Sequence, residues 1–291
     1  MSEVKRIATR QGYGEALAEL GDEFQNLVVM DADLAESTKT AIFGKKFPER
    51  FFDCGIAEGN MVSMAAGLAS TGKVVFASSF AMFATGRAYE QIRNSVGYPA
   101  LNVKIAASHG GITVGEDGAT HQCLEDIALM RNIPGMVVCV PSDVIEAKAA
   151  VRAAIEHQGP VFLRLGRNAV PVINDRPDYK FELGKGIVLK EGTDVTIIAT
   201  GIVVESAMEA AKKLEAEGIS AEVINIHTIK PLDDELVVAS AKKTGKVVTV
   251  EEHSVIGGLG SAVCDTICRN YPVPVLKIGV QDEFGTSASA A

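Results

Sequence analysis

Short runs of β-branched and aliphatic residues recur along the chain, each closed by polar or glycine-containing segments. LVVMD, VVFAS, LNVKIAAS, MVVCV and VFLRL in the first part, then DVTIIAT, AEVINI, KVVTVEE and PVLKI, read as strands. Between them, GYGEALAEL, EGNMVSMAAGLAS, GRAYEQIRNSV, SDVIEAKAAVRAAIEH and VVESAMEAAKKLEAEG carry helical spacing, several with polar starts and a glycine stop. Strand and helix alternate throughout, so the pattern predicts an α/β fold with mostly parallel strands. Pro141 with Ser142 as N-cap opens one predicted helix, and Pro231 through Asp234 open another.

The alternation lapses in NAVPVINDRPDYKFELG, where Pro171, Pro177 and mixed charges read as a linker. This places one domain over residues 1–168, a linker over 169–185 and a second domain over 186–291. The composition agrees, since 291 residues with 47% apolar and 22% charged positions suffice for two ordinary cores. A formal charge of -9 repels a phosphate backbone over most of the surface, which argues against nucleic acid as a partner. The longest weakly polar run, Val74 to Gly86, carries Ser78, Ser79 and Thr85 and falls short of the roughly 20 residues that span a bilayer. No membrane helix is predicted. MSEVKRIATRQGYGEALAEL has no signal-peptide pattern, so the predicted compartment is the cytoplasm.

Cys54, Cys123, Cys139, Cys264 and Cys268 form no C-x-x-C pair and read as buried thiols in a reducing compartment. Cys264 and Cys268 lie four apart on a predicted helix, but no further ligand completes a metal site. His227 and His253, beside strand ends, read as structural. IGGLGSAV is suited to close backbone approach and suggests dimer packing for the second domain, while the terminal SASAA reads as a flexible tail.

In parallel α/β units, ligands gather beyond the carboxyl ends of the strands. DCGIAEGNM puts Glu58 at the start of an apolar helix, with Ile56, Met61, Val62 and Met64 nearby. A carboxyl there is either a favourable charge at a helix start or a group with a raised pKa that shares a proton with a ligand. SHGGITVGEDGATHQCLED, after LNVKIAAS, gathers His109, Glu116, Asp117 and His121 among glycines. Glycine lets backbone approach a ligand, histidine transfers protons near neutral pH, and a carboxylate orients a hydroxyl or an imidazole. The alternative is a glycine-rich turn with solvated charges. Phe80 and Phe83 begin a predicted helix after VVFAS and either stack on a flat ring or fill the core.

No metal spacing, G-x-S-x-G elbow or phosphate-binding glycine loop is complete anywhere in the chain. Arg10 and Arg167 flank apolar segments, and each is either a fork for a phosphate or a surface ion-pair partner.

Taken together, IATRQGYGEAL, DADLAEST, RFFDCGIAEGNMVSMAAGLA, SFAMFATGRAYEQIRNSV, SHGGITVGEDGATHQCLEDIALMR, VPSDVIEAK, LRLGRN and VEEHSVIGGLGSAV resemble the C-terminal half of a transketolase. The resemblance covers nearly the whole chain. It implies a pyrimidine-binding thiamine-diphosphate fold, a parallel sheet with helices on both faces, followed by a smaller α/β C-terminal domain. It also implies the activity: transfer of a two-carbon ketol unit from a ketose phosphate to an aldose phosphate.

By the same resemblance, Glu58 hydrogen-bonds the pyrimidine nitrogen of thiamine diphosphate, and Phe80 and Phe83 stack on the ring. A third aromatic of many relatives falls on Gly86, leaving a thinner wall or one supplied by Tyr89. His109 and His121 match histidines that bind sugar hydroxyls and assist proton transfer, and Asp117 a residue that reads a donor hydroxyl. Arg10, Ser37 and Arg167 match contacts at the phosphate end. The chain has no GDG-type metal motif, so the resemblance implies a separate N-terminal subunit that binds diphosphate and Mg2+, in an α2β2 assembly. The C-terminal half of deoxyxylulose-phosphate synthase and the beta subunit of 2-oxoacid dehydrogenases share the layout. GEDGATHQ speaks against the dehydrogenase subunit, and the F-x-x-F spacing favours transketolase over the synthase. A non-catalytic scaffold with the same fold is a further alternative.

Overall fold

A computed structural model describes residues 5–290. After a short β1 (Arg6–Ala8), the chain lays down β2 (Leu27–Asp31), β3 (Phe51–Asp53), β4 (Val74–Phe80), β5 (Val103–Ser108), β6 (Val137–Cys139) and β7 (Val161–Arg164). There follow β8 (Ala169–Pro171), β9 (Ile187–Lys190), β10 (Val195–Ala199), β11 (Ala221–Asn225), β12 (Thr228–Lys230), β13 (Val247–Ser254) and β14 (Val275–Val280). The larger sheet has the order β12-β6-β7-β5-β4-β2-β3 and the smaller one β14-β13-β10-β11-β9. All pairs in both sheets are parallel except the β12–β6 and β9–β11 edges, as the alternating pattern predicts.

Every residue of β2, β4, β5, β6 and β7 is buried, because helices cover both faces of the larger sheet. Helices Thr9–Leu20 and Val144–Glu156 pack Tyr13, Leu17, Val151 and Ile155 against one face. Helix Glu58–Ala69 and the segments that follow β4 cover the other. That second core layer runs without interruption into Ile198, Ile224, Val237 and Val263 of the second half, so the two sheets share one apolar core. β12 reinforces the junction: it belongs to the second half in sequence yet pairs with β6, and Val140 N donates to His227 O at 2.7 Å. Strands β1, β3, β8 and β12 have only three residues, too few to show a period, and their strand character comes from the neighbouring backbone.

The N-cap of helix Val144–Glu156 is Asp143, not Ser142: the Asp143 carboxylate accepts from Glu146 N at 2.9 Å. Asp143 is the residue whose extended backbone turns its side chain back onto the first helical turn. Ser142 instead donates its hydroxyl to Glu146 Oε2 at 2.7 Å. Asp233 caps helix Asp234–Thr244 through Leu236 N, as the second proline signal predicts.

The close approach of IGGLGSAV occurs within the chain. Glu251 accepts from Leu259 N and Gly260 N at the start of helix Leu259–Asn270, and a Cβ on Gly258 would lie 2.0 Å from Glu251 Oε2. The cysteines are all free but not all buried. Cys123 and Cys139 are, Cys54 and Cys264 are half-buried, and Cys268 is exposed, since it falls on the outer face of that last helix. Among the described residues no helix is long and apolar enough to cross a membrane.

Glu146 is buried where helix Val144–Glu156, β11 and the segment after β8 meet. It accepts from Ser142 N and Oγ, from Asn225 Nδ2 and from Tyr179 OH. Truncation would leave several buried donors without a partner. Glu146→Ala is therefore expected to lower unfolding free energy by about 3 kcal/mol or more, read as a fall in urea midpoint.

Candidate active site

The candidate residues converge because they leave the carboxyl ends of neighbouring strands. β2 ends at Asp31, β3 leads into the Glu58 helix, β4 ends at Phe80, β5 at Ser108, and β7 at Arg164 just before Arg167. Arg10 enters from helix Thr9–Leu20, whose first residue ties the edge together: Thr9 Oγ1 accepts from Gly166 N at 2.8 Å.

Glu58 is the first residue of helix Glu58–Ala69 and is 1% exposed. Its carboxylate accepts from Arg87 Nη1 at 2.8 and 3.0 Å and from Ser79 Oγ at 3.4 Å. The predicted apolar setting is only partly realised: Met61 and Val62 are buried, but Ile56 and Met64 are exposed and a guanidinium faces the carboxylate. Sequence reasoning missed Arg87. The available signal is its spacing of four from Phe83, which lets the guanidinium lie 4.6 Å above that ring. Both residues sit on a wide helical turn, Met82–Arg87, with i→i+5 character, whereas the sequence pattern begins an ordinary helix at Phe80 and Phe83; Phe80 instead ends β4.

Phe80 and Phe83 lie with ring centroids 6.0 Å apart and planes 19° from parallel. Phe80, at the end of β4, is buried and also meets the His109 ring at 3.9 Å, so it both fills the core and lines the site. His121 stands edge-on to Phe83 at 5.1 Å. Position 86 contributes no ring, and Tyr89 packs against the core. A Cβ at Gly86 would meet Met82 Cε at 2.2 Å.

His109 adopts φ of 60°, a left-handed conformation rare for a residue with a side chain, directly after β5. Arg10 Nη1 donates to Ser37 O at 2.8 Å and faces His109 Nε2 at 3.3 Å. A guanidinium can only donate, so Nε2 accepts and the ring proton sits on Nδ1, which donates to Ser108 Oγ at 2.8 Å. Burial, then the charges of Arg10, Arg167, His121 and Lys39, push the His109 pKa down to about 3. Burial and the Arg167 charge likewise lower that of Arg10. Arg10 Nε is buried and makes no hydrogen bond. An acidic chain thus concentrates cations and an unfilled donor at one point, which suits an anion.

Ser37 is held there by Asp31, whose carboxylate accepts from Thr38 and Thr40 hydroxyls and from Leu34 N. Arg167 donates to Val114 O and to Glu116 Oε2. Asp117 is exposed on the same loop. The structure therefore brings Arg10, Ser37, His109, Phe80, Phe83 and His121 into contact, with Glu58 joined through Arg87, while Asp117 stands at the rim. Among the described residues no group of three or more His, Cys, Asp and Glu gathers to hold a metal ion.

The domains and this edge define a pyrimidine-binding α/β module followed by a transketolase-type C-terminal module. Residues 5–172 match the family model "Transketolase, pyrimidine binding domain" and residues 184–291 match "Transketolase, C-terminal domain". The chain belongs to the transketolase family, as a C-terminal subunit of the split type. It is 55% identical over 283 residues to the "Putative transketolase C-terminal section" of Methanocaldococcus jannaschii, covering 97% of this chain and 89% of that protein. It is 47% identical to a 6-deoxy-6-sulfo-D-fructose transketolase subunit of a Clostridium strain, covering 95% of this chain and 85% of the relative. Among solved structures it resembles a split-gene transketolase described as an inactive β4 tetramer, with TM-score 0.89 and 58% identity over 96% of this chain and 90% of that one.

The depressed His109 pKa has a defined consequence for stability. Its stabilising contribution is fully present above the unfolded value of 6.5 and is lost as pH falls through about 3. The chain should lose stability between pH 6.5 and pH 4, and His109→Gln should flatten that slope in thermal melts. The imidazole carbon resonances of His109 should stay in the neutral position at pH 5.

Proposed function

We propose that this chain works with a separate N-terminal subunit, thiamine diphosphate and Mg2+ to move a two-carbon ketol unit from a ketose phosphate to an aldose phosphate. One observation carries the reading: a buried carboxylate, a near-parallel aromatic pair and a guanidinium beside a neutral imidazole share one edge of one sheet.

The residues fit the cofactor's pyrimidine half. An apolar face from Phe80 and Phe83 is linked through Arg87 to a carboxylate that is 1% exposed, and an aminopyrimidine needs both, one for stacking and one for sharing a ring proton. Bound thiamine diphosphate supplies the electron sink for carbon–carbon cleavage. The rest of the reaction falls to protein side chains. Glu58 holds the proton at the pyrimidine nitrogen, and Arg87 must leave Glu58 and Phe83 for the ring to be seated. His109, with Nδ1–H pinned to Ser108, presents Nε2 to a sugar hydroxyl, and His121, edge-on to Phe80 and Phe83, exchanges protons with the substrate. Asp117 orients a donor hydroxyl. Arg10 and Arg167, with Ser37, grip the phosphate, for which a guanidinium fork is well shaped. The diphosphate and Mg2+ ligands belong to the partner subunit, with α2β2 as the assembly.

The decisive experiment mixes this chain with its N-terminal partner, thiamine diphosphate and Mg2+, and supplies either a ketose phosphate or pyruvate as donor. Ketol transfer from the ketose phosphate is the expected result. Turnover of pyruvate alone would redirect the reading to a deoxyxylulose-phosphate synthase, and no transfer in any combination would favour a scaffold. Glu58→Ala should lower kcat by about 100-fold or more without changing assembly by size-exclusion chromatography. Arg10→Ala should act mainly on substrate binding, raising KM for the phosphorylated donor about tenfold or more, with a smaller fall in kcat because Arg10 also sets the His109 tautomer.

A further inference from the structure

We propose that the segment 284–290 is a strap that positions the substrate loop 111–122, with Gln122 and Asn168 as its side-chain anchors. Its bearing on substrate rests on the phosphate-end reading above, but the strap itself stands on contacts within the chain.

The segment leaves β14 and lies across the glycine-rich loop rather than hanging free as its composition suggests. Gln122, 5% exposed, donates from Nε2 to Ile112 O at 3.0 Å and to Thr286 O at 3.2 Å, so one amide joins the start of the loop to the strap. Asn168 Nδ2 donates to Ala290 O. The surfaces meet through missing side chains. A Cβ on Gly118 would lie 2.4 Å from Ser287 Oγ, one on Gly115 2.8 Å from Ala290 Cβ, and one on Gly285 2.2 Å from Gln122 Oε1. Gly115 and Gly118 have φ of 90° and 69°, so the turn needs glycine for its backbone as well as for the strap.

The anchors adjoin the functional residues. Gln122 follows His121, and Asn168 follows Arg167, whose Nη1 donates to Val114 O inside the same loop. The loop's other end is gripped from the same half of the chain: Glu252 Oε1 accepts from Thr113 N at 2.7 Å, and a Cβ on Gly111 would lie 2.2 Å from the Glu252 carboxyl carbon. The second half therefore fixes both ends of the loop that presents His121 and braces Arg167. Gln122 and Asn168 act as positioning residues, through the loop and not on substrate.

Hydrogen exchange of the full chain tests the strap directly. Gln122→Glu keeps the shape of the side chain but removes its donor, and Ser287→Leu wedges the strap off Gly118. In both, amides of 111–122 should exchange about tenfold faster or more while β4 and β5 stay protected. Inorganic phosphate, followed through the His109 and His121 imidazole resonances, should bind about tenfold more weakly to both variants than to the parent chain. Unchanged exchange in 111–122 for both variants overturns the strap, and so does faster exchange spread over the whole sheet, which marks general destabilisation. If the parent chain binds no phosphate, the phosphate-end reading fails, and loop exchange still decides the strap. In the assembled enzyme the same variants should raise KM more than they lower kcat.

Discussion

Arg164 is the interaction on which the site depends. Buried at the end of β7, it donates from Nε to Asp126 Oδ2 at 2.7 Å and from Nη2 to Glu252 O at 2.8 Å and Cys123 O at 3.4 Å. One guanidinium thereby fixes the start of helix Asp126–Arg131, the end of the glycine-rich loop and the tip of β13. A Cβ on Gly110 would lie 2.7 Å from its Nε, so the loop leaves β5 pressed against the guanidinium. A buried pair of this kind adds little net stability over an apolar substitute, but losing one partner leaves a charge with no counter-ion and no water. Its effect is geometric: it admits few other arrangements of three segments that come from distant parts of the chain.

Around that anchor the protein keeps residues of the candidate site in states they would not adopt in water. His109 is held neutral by burial and neighbouring cations, in a backbone conformation that costs roughly 1–3 kcal/mol. Asp31, at the end of β2, is pushed up to about 6 by burial, with the hydroxyls of Thr38 and Thr40 and Leu34 N opposing the shift. The shared core and the β12–β6 pairing supply the rigidity that holds such groups, which explains why the second half cannot be regarded as an appendage to the first.

The fold class was legible in the sequence because its cause is local. Parallel strands buried on both faces must be apolar throughout, and the helices between them must carry an apolar stripe; LVVMD and SDVIEAKAAVRAAIEH each state this within their own residues. The glycines of GEDGATHQ and the order of Glu58, Phe80, Phe83, His109 and His121 were equally readable. Arg87 was not, because its importance comes from two partners, Glu58 and Phe83, that a linear pattern does not join. Asp143 was passed over as the cap because Ser142, one residue earlier, is an equally good cap in composition.

The sequence by itself determined that the longer strands and helices form, which faces they bury and which residue types stand at the strand ends, since these follow from side-chain chemistry and the periods of helix and strand. Only the tertiary structure decided that β12 completes the first sheet, that Arg10 faces His109 and sets its tautomer, and that the last residues cross the glycine loop. Those outcomes depend on contacts between residues far apart in the chain. Their energies arise from burial and charge in three dimensions, and no window of sequence contains both partners.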